Sequence, residues 1–278
     1  MREQAPIELR IRVEEGTYVH VRVIGSGPPV IVPLACWCEE YDVLASSNKL
    51  VLYDPRGRGQ SSAVGVEQVS FEADLKDLGL VQAALNLTPA ALIGWSYFGG
   101  VVARYAMLHP QRVSRLVLVG GTPVRGGEFM AAVMREQARR LGDIKPDNPA
   151  AFWDAFVQTR SGQQPPWPGQ RSKPSQYENE KPERVFPLVT KAMASMSDWD
   201  WRSEAKRIQC PVLVVEGSED ILPREAAAEW TAALPDARSL ILEGVGHFPS
   251  LEDPGRFFPA VGKFLLDLGQ DLASLPRR

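Results

Sequence analysis

The chain has 278 residues, of which 44% are hydrophobic and 23% charged, and its formal net charge is −3 at pH 7. This composition is typical of a globular protein, and it offers no basic stripe for a nucleic acid. No apolar run is long enough to cross a membrane, and residues 1–10 lack the apolar stretch of a signal peptide. The odd number of cysteines, three, argues against a disulfide framework. We therefore expect a cytoplasmic protein with neither a nucleic-acid nor a membrane partner.

The first elements are two segments in which apolar and polar residues alternate, residues 7–13 and 18–23. Such alternation is typical of half-buried strands, and the glycine-containing connection between them predicts a hairpin. Glycines and prolines at residues 25–29 then interrupt the chain before the pattern changes.

Short, continuous apolar runs follow, with helical patterns between them. The apolar runs lie at residues 30–32, 50–53, 91–93, 116–119 and 212–215, with a weaker sixth at 239–242. The helical patterns lie at residues 71–87, 101–108, 225–234 and 257–268. Continuous apolar runs are typical of strands buried on both faces. Their alternation with helices predicts the α/β class, with a mostly parallel central sheet and helices on both faces.

One region, from about residue 125 to 206, contains no run typical of a buried strand. It holds four of the seven tryptophans and a polar, proline-rich stretch at residues 161–174. Helical patterns in this region lie at residues 131–141, 150–159 and 184–197. We interpret residues 1–123 and 207–278 as the core, and residues 124–206 as a helical lid inserted into it.

A serine follows the apolar run at residues 90–93, in a segment that reads Gly-Trp-Ser-Tyr-Phe-Gly-Gly over residues 94–100. A sharp turn between a strand and a helix would expose the Ser96 hydroxyl at the sheet edge. The helix that follows would then direct its N-terminal N–H groups at a negative charge forming there. Such a turn favours small residues two positions away on each side, where this chain has Gly94 and Phe98.

This segment resembles the G-x-S-x-G nucleophile turn of the α/β-hydrolase superfamily. Phe98 stands at the second glycine, as in a bacterial subgroup that carries a bulky residue there before a glycine. The resemblance implies the α/β-hydrolase fold with Ser96 as the nucleophile. Residues 53–61 add a further match, because they resemble the family's D-x-R-G-x-G-x-S turn, whose role is mostly structural.

Two later segments supply the partners that a serine nucleophile needs. Residues 217–223 resemble the G-x-x-D loop that carries the family's triad acid, and residues 243–249 are similar to its G-H-F loop. The resemblance implies Asp220 as the acid and His247 as the base, with Glu219 as the alternative acid. The order Ser, Asp, His along the chain is the one expected for this fold.

The loop after the third strand departs from the family, which usually has His-Gly there. This chain has Pro-Leu-Ala-Cys-Trp at residues 33–37. The resemblance implies an oxyanion hole made of backbone N–H groups, for which we predict Tyr97 and Ala35, with Cys36 as the next choice.

Three aromatic residues flank the predicted site. Trp37, Phe98 and Phe248 lie next to the segments named above, and we predict that they line the substrate pocket.

The remaining histidines and cysteines carry no motif of their own. We expect His20 to be a solvent-facing or edge residue and His109 to sit at a helix end. Cys36-x-Cys38 is too closely spaced for a zinc pair, and only Cys210 remains as a further thiol. We therefore expect neither a metal nor an organic cofactor.

The resemblance implies a carboxylesterase-like serine hydrolase that acts, through an acyl-enzyme, on a small or medium, partly apolar ester-like substrate. One alternative is a prolyl-aminopeptidase-like peptidase, which would hold a free amine with Glu128, Asp154 or Glu183. Carbon–carbon bond hydrolysis and lactone opening are open on the same triad. Epoxide hydrolysis and dehalogenation are disfavoured, because those relatives have an aspartate where Ser96 stands. A non-catalytic ligand receptor on this fold is the alternative from another class.

Overall fold

The computed structural model describes residues 5–141, 182–196, 198–223 and 225–266. The strands are β1 (Ile7–Glu14), β2 (Thr17–Ile24), β3 (Pro29–Pro33), β4 (Lys49–Asp54), β5 (Ala90–Trp95), β6 (Val113–Val119), β7 (Val212–Gly217) and β8 (Ala237–Leu242). The α-helices within the described residues are α1 (Phe71–Ala84), α2 (Tyr97–Leu108), α3 (Gly127–Leu141), α4 (Pro182–Ala194), α5 (Glu225–Ala233), α6 (Pro249–Glu252) and α7 (Pro254–Leu266).

The eight strands form one sheet in the order β1-β2-β4-β3-β5-β6-β7-β8. β1 and β2 form the predicted antiparallel hairpin, and β2 pairs with β4 in antiparallel fashion. The remaining neighbours, β4–β3, β3–β5, β5–β6, β6–β7 and β7–β8, all pair in parallel fashion. This sheet confirms the predicted α/β class and its mostly parallel character.

The central strands are continuous apolar runs because both of their faces are covered. In β5, Leu92 belongs to the core cluster packed beneath α1 and α2, whereas its neighbour Ile93 belongs to the cluster packed beneath α7. Successive side chains of a strand point to opposite faces, so both must be apolar. The weaker run at residues 239–242 is β8, the strand at the edge of the sheet, where Ile241 is exposed.

The predicted insertion leaves the core after β6. The described parts of it include α3 and α4, which agree with the helices predicted at residues 131–141 and 184–197. The helix predicted at 150–159, the proline-rich stretch and Trp153 and Trp167 lie outside the described residues. The division into a core and a lid at residues 124 and 206 stays a prediction.

The two ends of the insertion lie side by side. The Gly126 N–H donates to the Trp199 carbonyl (2.8 Å), and the Trp201 N–H donates to the Val124 carbonyl (2.9 Å). The indole N–H of Trp199 adds a bond to the Pro123 carbonyl (3.0 Å). We call residues 123–126 and 199–201 the neck. None of the described helices is long and apolar enough to cross a bilayer.

Candidate active site

Ser96 lies between the last residue of β5 and the first residue of α2, with φ 53° and ψ −126°. This backbone conformation is strained for any residue with a side chain. Three hydrogen bonds hold it: Ser96 N–H donates to the Val119 carbonyl (2.9 Å), and the Ser96 carbonyl accepts from Gly99 N–H (2.9 Å) and Thr122 N–H (3.0 Å). The strained turn at the C-terminal edge of the sheet is therefore the one predicted from the sequence.

This turn is most closely packed at two glycines, Gly94 and Gly99, where a Cβ atom would have no room. A Cβ on Gly94 would collide with the Phe98 carbonyl, and a Cβ on Gly99 would lie 2.7 Å from the Gly121 Cα. The expected requirement for a small residue at position 98 is wrong, because the crowded position is 99. The Phe98 side chain points into the core, where it is 2% exposed and its ring lies 5.0 Å from that of Tyr97.

The structure brings Ser96, His247 and Asp220 together. His247 Nε2 lies 2.9 Å from Ser96 Oγ, and His247 Nδ1 lies 2.8 Å from Asp220 Oδ1. Both His247 and Asp220 are buried. The carboxylate that contacts the imidazole belongs to Asp220, so this geometry favours Asp220 over Glu219. An imidazole held in this way can accept a proton from a serine hydroxyl while the carboxylate orients the ring.

The end of β6 packs closely against the Asp220–His247 pair. Gly120 has φ +48°, and a Cβ there would lie 3.0 Å from Asp220 Oδ2 and 3.2 Å from His247 Nδ1. Asp220 Oδ1 also accepts from Leu222 N–H (3.1 Å), whereas Oδ2 has no hydrogen-bond partner within the described part of the chain. Glycine at position 120 therefore allows the strand end to approach the pair.

The backbone around His247 is fixed at three consecutive residues. The Glu252 carboxylate accepts the N–H groups of Gly246 (2.6 Å) and Phe248 (2.8 Å), and the Trp95 indole N–H donates to the His247 carbonyl (2.7 Å). Burial raises the pKa of Glu252, and the two amide bonds act in the opposite direction. The sequence analysis missed Glu252; its only signal is an acidic residue in the first turn of α6, shortly after the histidine.

Aromatic rings lie next to the imidazole. The Trp95 ring lies 5.3 Å from His247, 4.7 Å from Phe248 and 6.0 Å from Trp37, measured between ring centroids. Phe248, one of the predicted pocket residues, therefore lies beside His247 together with Trp95, and Trp37, another of them, lies next to Trp95. Phe98 is not among these rings, and its ring contacts with Tyr97 and Arg58 belong to the core. A substrate contact for any of the three stays a prediction.

The loop that replaces the His-Gly pair begins with Leu34 in the left-handed conformation (φ 70°), followed by a 3-10 turn at Ala35–Trp37. The Cys36 N–H donates to Asp54 Oδ1 (2.8 Å), so that amide is already engaged and Ala35 is the better of the two predicted donors. Tyr97 is the first residue of α2, and the first N–H groups of a helix have no partner within it.

His20 differs from the sequence expectation. It lies on β2, which has a neighbour on each side, and its Nε2 is 2.6 Å from Glu8 Oε2 while its Nδ1 is 3.5 Å from Asp54 Oδ2. The ring is thus partly buried between two carboxylates because its strand is not at the sheet edge. His109 caps the end of α2, as expected.

The three cysteines are free thiols, and burial raises the pKa of Cys210 to about 11. Among the described residues, no group of three or more His, Cys, Asp or Glu side chains is arranged to hold a metal ion.

A family model described as the α/β-hydrolase fold matches residues 34–254. The chain belongs to the α/β-hydrolase family. This α/β hydrolase is 23% identical over 268 residues to the proline iminopeptidase of Heyndrickxia coagulans. The alignment covers 87% of this chain and 91% of that protein. It is 26% identical over 260 residues to the pimeloyl-[acyl-carrier protein] methyl ester esterase of Chromobacterium violaceum. The alignment covers 88% of this chain and 97% of the esterase.

Solved structures of low sequence identity share the fold of this α/β hydrolase. The proline iminopeptidase of Mycobacterium smegmatis superposes with a TM-score of 0.73 at 18% identity, covering 93% of this chain and 97% of that one. The esterase RhEst1 of a Rhodococcus species superposes with a TM-score of 0.69 at 24% identity, covering 94% of this chain and 99% of that one. With the sequence relatives, the family supports hydrolase chemistry for this chain.

Proposed function

We propose that this α/β hydrolase is a carboxylesterase-like serine hydrolase that cleaves ester-like bonds in small or medium, partly apolar substrates. The observation that carries the proposal is the hydrogen-bonded chain from Ser96 Oγ to His247 Nε2 (2.9 Å) and from His247 Nδ1 to Asp220 Oδ1 (2.8 Å). A serine hydroxyl is a weak nucleophile on its own and needs an adjacent base of this kind.

In the proposed reaction, Ser96 Oγ attacks the carbonyl carbon of the ester while His247 takes the hydroxyl proton. Asp220 orients the imidazole and stabilises its cationic form. When the tetrahedral intermediate collapses, His247 gives that proton to the leaving alcohol, and the acyl group stays on Ser96. His247 then deprotonates a water that attacks the acyl-enzyme, and as the ester bond to Ser96 breaks, His247 returns that proton to Ser96 Oγ and the acid is released.

The developing oxyanion would accept hydrogen bonds from the Tyr97 and Ala35 amides. The Tyr97 amide stands at the start of α2, where the helix dipole adds a favourable positive potential. Each oxyanion donor is worth roughly 3–4 kcal/mol in transition-state stabilisation. The proposed chemistry uses no metal or organic cofactor.

The aromatic rings next to His247 support the partly apolar character of the proposed substrate. Trp95 and Phe248 lie beside the imidazole, and Trp37 lies 6.0 Å from Trp95 between ring centroids. Predominantly apolar walls with a few polar groups are typical of small-molecule pockets.

The peptidase alternative would need a carboxylate to hold the amine of its substrate. Of the three residues predicted for that role, Glu128 points outward, with its side chain 87% exposed and 3.5 Å from Arg125. Asp154 and the side chain of Glu183 lie outside the described residues. The exposed position of Glu128 therefore argues against that residue as the carboxylate that holds the amine.

The decisive experiment is labelling by a fluorophosphonate probe, with wild type compared with Ser96→Ala, His247→Ala and the control His109→Ala. His109 packs on Tyr105 at the far end of α2, so its loss should leave labelling unchanged. We expect no labelling of Ser96→Ala and a strong decrease in His247→Ala, with ester turnover lowered by about 10⁴-fold or more in both. A folded wild type that is not labelled, or labelling that survives in Ser96→Ala, contradicts the proposal.

Turnover of a panel of esters, lactones and aminoacyl amides then identifies the type of bond that the protein cleaves. Preferred turnover of aminoacyl amides would favour the peptidase. A ligand that raises the melting temperature of an unlabelled protein without being consumed would favour the receptor.

A further inference from the structure

An ion pair between Arg58 and Asp74 is completely buried, with both side chains 0% exposed. Arg58 Nη1 lies 2.8 Å from Asp74 Oδ1, and Nη2 lies 3.2 Å from Asp74 Oδ2. The desolvation of two charges offsets most of the attraction between them, so such a pair adds little to stability compared with an apolar core. Its other contacts indicate what it does.

The third partner of this pair is the residue after Ser96. The Tyr97 hydroxyl donates to Asp74 Oδ2 (2.9 Å), and the Tyr97 side chain is buried. Burial, followed by the Asp74 charge, raises the pKa of Tyr97 well above its usual range, so the hydroxyl remains a donor at every working pH. The buried ion pair therefore contacts the first residue of α2 through the Tyr97 hydroxyl.

The guanidinium of Arg58 makes further contacts on the same side. It lies over the Phe98 ring, 5.7 Å from the centroid, and donates to the Arg56 carbonyl (3.2 Å) and the Leu188 carbonyl of α4 (3.4 Å). One buried cation thus joins the turn after β4, the start of α2 and a helix of the insertion.

The strained torsion of Ser96 determines what this anchoring controls. The ψ angle of Ser96, −126°, sets the direction of the Tyr97 N–H. A change in the ψ angle of Ser96 that the φ angle of Tyr97 does not offset would rotate all that follows it in the chain, and would draw the Tyr97 side chain away from Asp74. The hydrogen bond from the Tyr97 hydroxyl to Asp74 therefore opposes a relaxation of the peptide between Ser96 and Tyr97.

We propose that the Arg58–Asp74 pair is a positioning device, which acts through the Tyr97 hydroxyl to hold the Tyr97 amide in the direction required of an oxyanion donor. This inference rests on the proposed function, because the amide matters only if an oxyanion forms at Ser96. Phe98 then has a role as well, since its ring packs beneath the same guanidinium at the place where the family has glycine.

The test is Tyr97→Phe, which removes the hydroxyl and leaves the amide in the chain. Helix α2 offers a matched control in Tyr105→Phe, because the buried Tyr105 hydroxyl also donates to α1, at Gln82 Oε1 (2.7 Å). Each substitution removes one α2–α1 hydroxyl bond, and Tyr105→Phe also removes the acceptor of an Arg112 N–H (3.4 Å), so both should lower the melting temperature. Only Tyr97 adjoins the reacting serine.

Labelling by the fluorophosphonate probe is measured over a range of probe concentrations to separate the first-order rate from the half-saturating concentration. An amide that is displaced but not removed should cost less than a deleted donor, so we expect the first-order rate of Tyr97→Phe to fall about tenfold. The half-saturating concentration should stay unchanged, and Tyr105→Phe should label like wild type.

Equal first-order rates for Tyr97→Phe and Tyr105→Phe, with wild type labelled, would overturn the positioning role and leave the proposed function intact. A tenfold loss confined to Tyr97→Phe supports it. A folded wild type that does not label overturns the proposed function, and the positioning role with it.

Discussion

The carboxylate of Glu252 accepts the two backbone N–H groups that flank His247, one on each of its oxygens. The imidazole therefore sits between two fixed peptide groups, and its carbonyl is held by Trp95. The direction of Nε2 toward Ser96 depends on this support as much as on Asp220. Glu252 is a positioning residue for the proposed base.

We predict that Glu252→Gln slows fluorophosphonate labelling by about threefold to tenfold, because a glutamine has only one acceptor oxygen for two N–H donors. The unfolding free energy should fall by about 1–3 kcal/mol, the cost of one unmet buried donor. Urea denaturation and labelling kinetics measure the two effects.

The control for this substitution is the next residue, Asp253→Asn. Its carboxylate accepts from Arg256 N–H (2.9 Å) at the surface and touches no part of the His247 loop described above. Labelling of Asp253→Asn should match wild type. Unchanged labelling in Glu252→Gln would show that Asp220 alone fixes the ring.

Among individual residues, the sequence predicted Ser96, Asp220 and His247 as one site because each follows a strand of one parallel sheet, and two hydrogen bonds link the three side chains in the structure. Their catalytic role stays a prediction. Glu252 and Trp95 were not predicted, since the first contacts the histidine loop where α6 folds back on it and the second from the end of β5, far away in the sequence. No local pattern reports a contact of that kind.

At the scale of elements, the junction of β5 with α2 depends on how closely two backbones approach. Gly99 in α2 faces Gly121 after β6, and this contact sets the distance between the helix and the neighbouring strand. The sequence predicted the strand from its apolar run. It did not predict that α2 begins at Tyr97, or that Gly99 is the crowded position, because that contact is with a distant segment.

We predict that Gly99→Ala lowers the unfolding free energy by about 1–3 kcal/mol, because its Cβ would lie 2.7 Å from the Gly121 Cα and the helix would have to shift. The control is Gly262→Ala in α7, where a Cβ meets nothing within 4 Å. Alanine there should be neutral or stabilise by up to about 1 kcal/mol. Urea denaturation of both variants is the measurement, and equal effects would contradict the prediction.

At the scale of the whole molecule, the neck joins the insertion to the core. Trp201 lies in it with its ring stacked on Phe71 of α1 (5.8 Å between centroids, 20° between planes) and 6.5 Å from Trp230 of α5. The tryptophan content of residues 125–206 indicated a separate unit, but the sequence could not show that residues 126 and 199 would be hydrogen-bonded neighbours.

We predict that Trp201→Ala lowers the unfolding free energy by about 3–5 kcal/mol, because it removes a buried ring shared by the insertion and the core. Trp201→Phe retains a ring to stack on Phe71, so its unfolding free energy should fall clearly less than that of Trp201→Ala. Urea denaturation followed by circular dichroism measures both. A loss below about 1 kcal/mol in the alanine variant would mean that the neck is held by its backbone bonds alone.

The neck also brings the two ends of the predicted insertion together. Because Gly126 and Trp199 are hydrogen-bonded neighbours, a segment of another length or composition would start and finish at nearly the same point of the core. The cost of closing a longer loop grows only slowly with its length. We therefore expect a foreign segment grafted between these two points to leave the hydrogen bonds among Ser96, His247 and Asp220 in place, while it removes the bond from Arg58 to the Leu188 carbonyl.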